Sequence, residues 1–238
     1  LRACLADEEA GERTSITFWV PALPDGAGVA YAARCGGSVR LEERCSRLAV
    51  DDVPDDVVDG WIAEGRTRTD GYRLVQWVGP VPDEHLADLV VVRRSMQDMP
   101  VDDLDWTAPT MDAADLRSFE EAAAGRGHHP VVSMALSPDG DPAGFSALFL
   151  NQHRPTLAWQ GDTGVLADHR GRGLGRWLKA ENLRLAQATA PQLATVETYN
   201  AESNPWMLDI NVAMGFRPHM AYQAWQAEVA DVRSALGV

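Results

Sequence analysis

The most constraining stretch of this chain is Thr163-Gly-Val-Leu-Ala-Asp-His-Arg170-Gly-Arg-Gly-Leu-Gly175-Arg-Trp-Leu-Lys179. A strand with β-branched residues enters a loop with glycines at 171, 173 and 175. The loop opens directly into an amphipathic helix whose apolar side carries Leu174, Trp177, Leu178, Leu183 and Leu185. Glycines let the backbone come close to a ligand and turn its N–H groups inward, and the helix start adds positive potential. The physics suits a bound diphosphate. Arg170, Arg172, Arg176 and Lys179 also place four cations within ten residues of a chain whose formal charge is −14. The loop is neither GxGxxG nor GKS/T, and it lies late in the chain, so dinucleotide and nucleoside-triphosphate fingerprints do not fit. A tight strand–helix turn with no ligand is the competing reading.

The acidic balance argues against nucleic acid, which needs a basic face. It is compatible with cationic small molecules or basic peptides, or with solubility alone. A length of 238 residues with 45% apolar and 24% charged residues predicts one or two globular domains with a real core. No run of ~18 apolar residues predicts a membrane span. Residues 1–30 lack the basic start, apolar stretch and cleavage site of a leader, although a chain starting at Leu1 leaves room for sequence before it. Cys4, Cys35 and Cys45 have neither metal-site nor paired spacing, so no metal is expected and a reducing cytoplasm is.

Along the chain, residues 15–20 read as a strand, 29–34 as a short helix ended by Gly36-Gly37, and 41–50 as a strand. The aspartate-rich stretch from Asp51 to Asp59 suggests an exposed linker or a helix start; the segment 51–70 is taken as linker, and a new unit begins at Gly71. From there the order is strand (72–78), helix capped by Asp83, helix (112–124), strands at 130–137, 144–151 and 156–167, helix (173–188), strand (193–199), helix capped by Ser203, and a last strand over 216–227. A faint echo runs at an offset of 179: Phe18–Ala22 falls on Glu197–Ala201, Asp25 on Asn204, and Gly36 on Gly215. It makes residues 1 to about 50 the tail of an earlier, degenerate copy.

Arg170-x-x-Gly173-x-Gly175, preceded by Val165 and followed by a helix, resembles the acyl-CoA loop of the GCN5-related N-acetyltransferases (GNAT superfamily). Downstream, Glu197-Thr-Tyr-Asn200-Ala-Glu-Ser-Asn204-Pro-Trp-Met207, then Asn211 and Gly215-Phe216, resembles that superfamily's second block. The run from Trp159 to Pro218 is similar to actinobacterial proteins that carry two tandem GNAT units. The resemblance implies an α/β (α+β) fold: a mixed, mostly antiparallel sheet with splayed central strands flanked by helices. Residues 71–238 would be a complete GNAT domain, with a partial, degenerate unit at 1–50 before it.

The resemblance also implies roles. Acetyl-CoA would be the acyl donor, with no metal. Its pantetheine arm would pair with Val165, Leu166 and Ala167, and Arg170, Gly171, Arg172, Gly173, Leu174, Gly175 and Arg176 would surround its pyrophosphate. Asn204, helped by Asn200, would touch the arm, and a backbone N–H near Thr163 would stabilise the carbonyl oxygen. An amine protonated at pH 7 needs a proton acceptor; Glu197 is the first candidate and Asp162 the second, though Glu197 could instead pair with an arginine and Asp162 hold a β-bulge. The family's usual acid, a tyrosine seven residues after the position of Asn204, is here Asn211. That leaves Tyr222, Tyr199 or water to protonate the leaving thiolate. His128, His129, His153 and His169 read as ordinary surface histidines. Trp159, Trp206 and Trp225 could line an acceptor pocket, but each reads better as core. Three functions remain open: acetylation of a small amine such as an antibiotic or biosynthetic intermediate, acetylation of a peptide amine, or acyl-CoA binding without turnover. A homodimer is compatible with any of them.

Overall fold

The computed structural model describes residues 14–237. Cys4 and the start of the expected N-terminal unit lie outside the described residues. Eight strands form one sheet: β1 (Ser15–Pro21), β2 (Ser38–Ala49), β3 (Arg73–Val78), β4 (His128–Leu136), β5 (Pro142–Asn151), β6 (Leu157–Val165), β7 (Thr195–Ala201) and β8 (Arg217–Glu228). Their spatial order is β1-β8-β2-β7-β6-β5-β4-β3. Every pairing is antiparallel except β6 with β7. The helices are α1 (Ala27–Arg34), α2 (Asp55–Arg68), α3 (Asp83–Val92), α4 (Ala113–Gly125), α5 (Leu174–Thr189), α6 (Pro205–Met214) and α7 (Val229–Leu236). None of them is long and apolar enough to cross a membrane.

The sheet has a core on each face. On one side Val58 and Trp61 of α2, Ala180 and Leu183 of α5 and Met214 of α6 pack over Leu48, Val131, Leu148 and Val196. On the other, Leu89 and Val92 of α3 and Leu116 of α4 cover Val132, Met134, Phe145 and Phe149. The two-residue alternation of a strand sends successive side chains to opposite faces, which lets one strand serve both cores. α4 starts as its sequence predicts: Asp112 accepts from the amides of Ala114 and Asp115, and the Asp115 side chain returns the bond to the Asp112 amide.

Three local expectations are corrected. The stretch expected as a linker over 51–70 is largely helix α2, because Val58, Trp61 and Gly65 supply a buried stripe. Gly65 sits against the Trp177 indole so closely that a Cβ there would overlap it. Asp83 does not cap α3: the cap position is Pro82, and Asp83 instead pairs with Arg117 at 2.5 Å. The cap of α6 is Asn204 rather than Ser203, its side chain accepting from Met207 N at 3.2 Å.

The offset of 179 maps element onto element: β2 onto β8, α1 onto α6, β1 onto β7 to within one residue. Gly36 and its counterpart Gly215 both take positive φ, +79° and +107°. β2 lies between β7 and β8, and Glu43 faces Tyr222, its own counterpart 179 residues on. β1 flanks β8 as β7 flanks β2, so a local twofold relates the two β-α-β segments. The sheet therefore runs across the expected division at residue 71.

Candidate functional site

β6 and β7 pair only at Leu157–Thr195, Ala158–Val196 and Trp159–Glu197. Beyond Trp159, β6 follows β5 through Ser146–Thr163 and Gly144–Val165. Beyond Glu197, β7 follows β2 through Cys45–Tyr199 and Glu43–Ala201. Two strands held by different neighbours part, and a wedge opens between them. The β6 register shifts between the Leu148–Gln160 and Ser146–Thr163 rungs, a bulge that places Gly161 and Asp162 at the turn. The Leu166 N–H donates to Ala143 O at 2.9 Å. By strand alternation, the amide groups of Val165 and Thr163 face the opposite edge, into the wedge. Leu166, expected to bond a ligand there, has its N–H committed to the sheet; Ala167 accepts from Arg170 N at 3.2 Å.

The loop follows. Gly171 and Gly173 have φ of +75° and +84°, and a Cβ at either would meet nothing within 4 Å. Backbone conformation therefore demands these glycines, and the space before them is open. Gly173 caps α5 without a side-chain bond, so the first-turn amides of Leu174, Gly175 and Arg176 have no partner within the helix. Among the described residues, the amides of Gly171, Arg172 and Gly173 also donate to no backbone acceptor. This is a preorganised anion cradle, and it fits a pyrophosphate. Arg170 braces it: Nε donates to Val165 O at 2.9 Å and the guanidinium pairs with Asp98 at 2.5 Å. Arg172 lies over the Tyr72 ring and Arg176 over Trp61. His169 Nδ1 lies 2.7 Å from the Tyr72 hydroxyl, so this histidine shapes the loop.

Behind β7, Asn211 Nδ2 donates to Asn200 Oδ1 at 2.7 Å, while Asn211 Oδ1 is buried without a partner. The residue at the expected acid position is thus a buried link to Asn200. An unmet acceptor beside the wedge fits a ligand that carries amide donors.

On the opposite face, β2 and β7 bring together residues that sequence reasoning partly missed. Glu197 Oε2 accepts from Arg47 Nε at 2.8 Å, and Oε1 accepts from the Tyr199 hydroxyl at 2.7 Å. Burial raises the Glu197 carboxyl, but the bonds from Tyr199 and Arg47 outweigh it and hold the group below its ordinary value. Burial, with the bond to Glu197, raises the Tyr199 phenol. The Tyr199 and Tyr222 rings meet edge to face at 5.1 Å. Beside them, burial pushes the Glu43 carboxyl up to about 7. The signal for this cluster was the alternation Leu41, Glu43, Cys45, Arg47; it was missed because β2 belongs to the N-terminal segment.

Across the wedge, Asp162 pairs with Arg93 at 3.1 Å. The Arg93 guanidinium lies against the Phe119 and Phe145 rings, 5.7 and 5.8 Å from their centroids. Asp162 borders a cavity of about 230 Å³ lined by Arg93, Arg94, Met96, Trp106 and Met111, among others. The tryptophans read as core, or as pocket lining, are neither buried nor gathered: Trp159 stacks on Phe149 but is half-exposed, Trp206 is 82% exposed, and the half-buried Trp225 indole bonds Gln223. His128 and His129 contact Asn151 and Gln152, and His153 contacts Gln152.

Comparison with known proteins agrees with this geometry. Residues 94–207 match the model of the acetyltransferase (GNAT) family. A tandem GNAT protein from the clavulanic acid biosynthesis pathway, solved without acetyl-CoA, superposes with a TM-score of 0.70 at 28% identity. That match covers 93% of this chain but 66% of the other, so this chain spans less than two thirds of that protein's length. A GCN5-related N-acetyltransferase from Sphaerobacter thermophilus gives 0.63 at 14% identity, covering 90% of this chain and 60% of the other. A functionally unknown conserved protein from Staphylococcus epidermidis gives 0.56 at 11%, covering 90% and 73%. At those identities the last two show a shared fold. No curated protein matches. The wedge and the cradle that follows it lie within residues 94–207, the segment that matches the acetyltransferase (GNAT) family model.

Proposed function

We propose that this chain is an acetyl-CoA-dependent N-acetyltransferase acting on the primary amine of a small molecule. The observation that carries the reading is the unpaired β6 edge leading directly into a loop of unbonded amides, with a partly open cavity beside it. Coenzyme A would lie with its pyrophosphate on the amides of Gly171–Gly175, assisted by Arg172 and Arg176. Its arm would follow the N–H groups of Thr163 and Val165, near Asn200 and Asn204, the Val165 carbonyl being taken by Arg170. It supplies a thioester, an acyl group on a good leaving group. The clavulanic acid relative favours a biosynthetic small-molecule amine, and a cavity of about 230 Å³ favours it over an extended peptide.

The chain's own groups then handle protons. Asp162 draws the acceptor's ammonium to the wedge, and the amine must lose a proton before it attacks. Glu197, held ionised by Arg47 and Tyr199, orders the path, and Glu43, poised at about 7, is the terminal proton acceptor. The amine nitrogen bonds the carbonyl carbon, the carbon–sulfur bond breaks, and Tyr222 or water returns a proton to sulfur. The Thr163 amide stabilises the oxygen that gains charge. The N-terminal β-α-β segment is, on this reading, the remnant of a second unit that lends β2 to the site.

Calorimetry with acetyl-CoA, followed by thiol release over a panel of amines, tests the proposal. Binding with amine-dependent release is expected. Binding without release from any amine would leave a carrier module, and no binding would remove the reading altogether.

A further inference from the structure

Arg93 and Arg94 are the only cations between residues 74 and 116, a stretch that carries nine acidic residues from Asp83 to Asp115. Both line the cavity beside Asp162. Arg93 is engaged, pinned between Asp162 and two aromatic rings. Arg94 is exposed, and among the described residues its guanidinium has no ion pair or hydrogen bond. The remaining wall is apolar or weakly polar: Val90, Met96, Met99, Met111 and Trp106, with Gln97 tied across to Thr110 at 3.2 Å. In so acidic a chain, a free guanidinium at the rim of a cavity whose other charges, Arg93 and Asp162, are paired with each other is a local reversal of sign.

We propose that Arg94 recognises a carboxylate on the acceptor, so that the substrate is an amine carrying an apolar body and an acidic group. This rests on the acetyltransferase reading and deepens it. The cavity then has two poles: Asp162 at the wedge for the ammonium, and Arg94 at the rim for the carboxylate, with methionines and Trp106 between. A cavity of 150 Å³ accommodates benzene, so about 230 Å³ suits roughly nine or ten non-hydrogen atoms, the scale of a single amino acid or a compact amino acid derivative. The planar fork of an arginine suits a carboxylate better than a lone ammonium does. The acidic surface around the cavity keeps other anions away, which leaves the contact selective for a ligand that also brings a positive charge.

The test compares matched pairs, L-leucine with L-leucinamide and 5-aminovalerate with 5-aminovaleramide, binding to the full chain with coenzyme A present. The readout is fluorescence of the cavity tryptophan or calorimetry. A charge-assisted contact predicts at least about tenfold tighter binding of the carboxylate in at least one pair. In Arg94→Gln that preference disappears while amide binding is unchanged, and Arg94→Lys restores part of it. Equal binding within both pairs, a preference that survives Arg94→Gln, or no binding of any member at millimolar concentration overturns the proposal. Acetyl-CoA binding and thiol release are measured separately. A carboxylate preference without release defeats the catalytic reading alone; release without a preference defeats the Arg94 assignment alone.

Discussion

Lys179 offers a quantitative test of the packing. It lies on α5 within the core, 1% exposed, with its Nζ 5.6 Å from the Phe216 ring centroid and no ion pair among the described residues. Burial lowers its pKa from 10.5 to about 7. The folded chain thus binds fewer protons than the unfolded chain between pH 7 and 10.5, so stability rises with pH across that window. Below pH 7 the full shift costs about 5 kcal/mol, and at pH 9 the remaining cost is about 2 kcal/mol. Lys179→Met keeps the stem's volume and removes the charge. Its Tm should therefore exceed that of the wild type by roughly 10–20 °C at pH 6 and by roughly 4–8 °C at pH 9. Differential scanning calorimetry at both pH values is the assay. A variant less stable than the wild type at pH 6, or a gain that does not shrink towards pH 9, refutes the burial argument.

Other substitutions probe the site and its supports. Gly173→Ala forces a side chain into φ +84° and should cost about 1–2 kcal/mol by chemical denaturation, with coenzyme A affinity falling at least tenfold by calorimetry. Gly65→Ala drives a methyl into the Trp177 indole and should destabilise by about 1–3 kcal/mol, read as a lower denaturation midpoint. For Glu43, the ionised form appears as pH rises through about 7, so thiol release should climb through that range and lose the inflection in Glu43→Gln. The same raised carboxyl makes the folded chain hold its proton longer than the unfolded one, so stability falls between pH 4.5 and 7 and Glu43→Gln should melt higher than the wild type at pH 8.

The elements were legible where local chemistry decides them. The glycine-rich turn into α5, the helix start at Asp112 and the break between β4 and β5 are set over a few residues, and the structure follows them. The misassignments lie where distant packing decides. Residues 55–68 carry four acidic residues and an unimpressive apolar pattern, yet they fold as helix because Val58, Trp61 and Gly65 pack inward, Gly65 directly against Trp177 of α5. The Arg94 cavity was invisible for a similar reason: its walls come from the end of α3 and the 3-10 turn over Arg93–Asp98, the loop before α4 and a bulge in β6, which no sequence window contains together.

The repeat shows how a weak sequence signal acquires physical content. Few residues are identical at the offset of 179, but the offset preserves what geometry requires: the positive φ at Gly36 and Gly215, and strand and helix lengths that match. A twofold between β2 and β8 also needs a residue to face its own counterpart, and Glu43 opposite Tyr222 meets that condition. The consequence reaches the site. β2 supplies Glu43, Cys45 and Arg47 to the face where Glu197 and Tyr199 stand, and it separates β7 from β8. Without it, Glu197 would lose the guanidinium that holds it ionised, and β7 would lose the neighbour that draws it away from β6. The wedge and the proposed proton relay beside it therefore depend on a strand from outside the matched region, and residues 71–238 alone would lack both Glu43 and Arg47 and the strand that draws β7 away from β6.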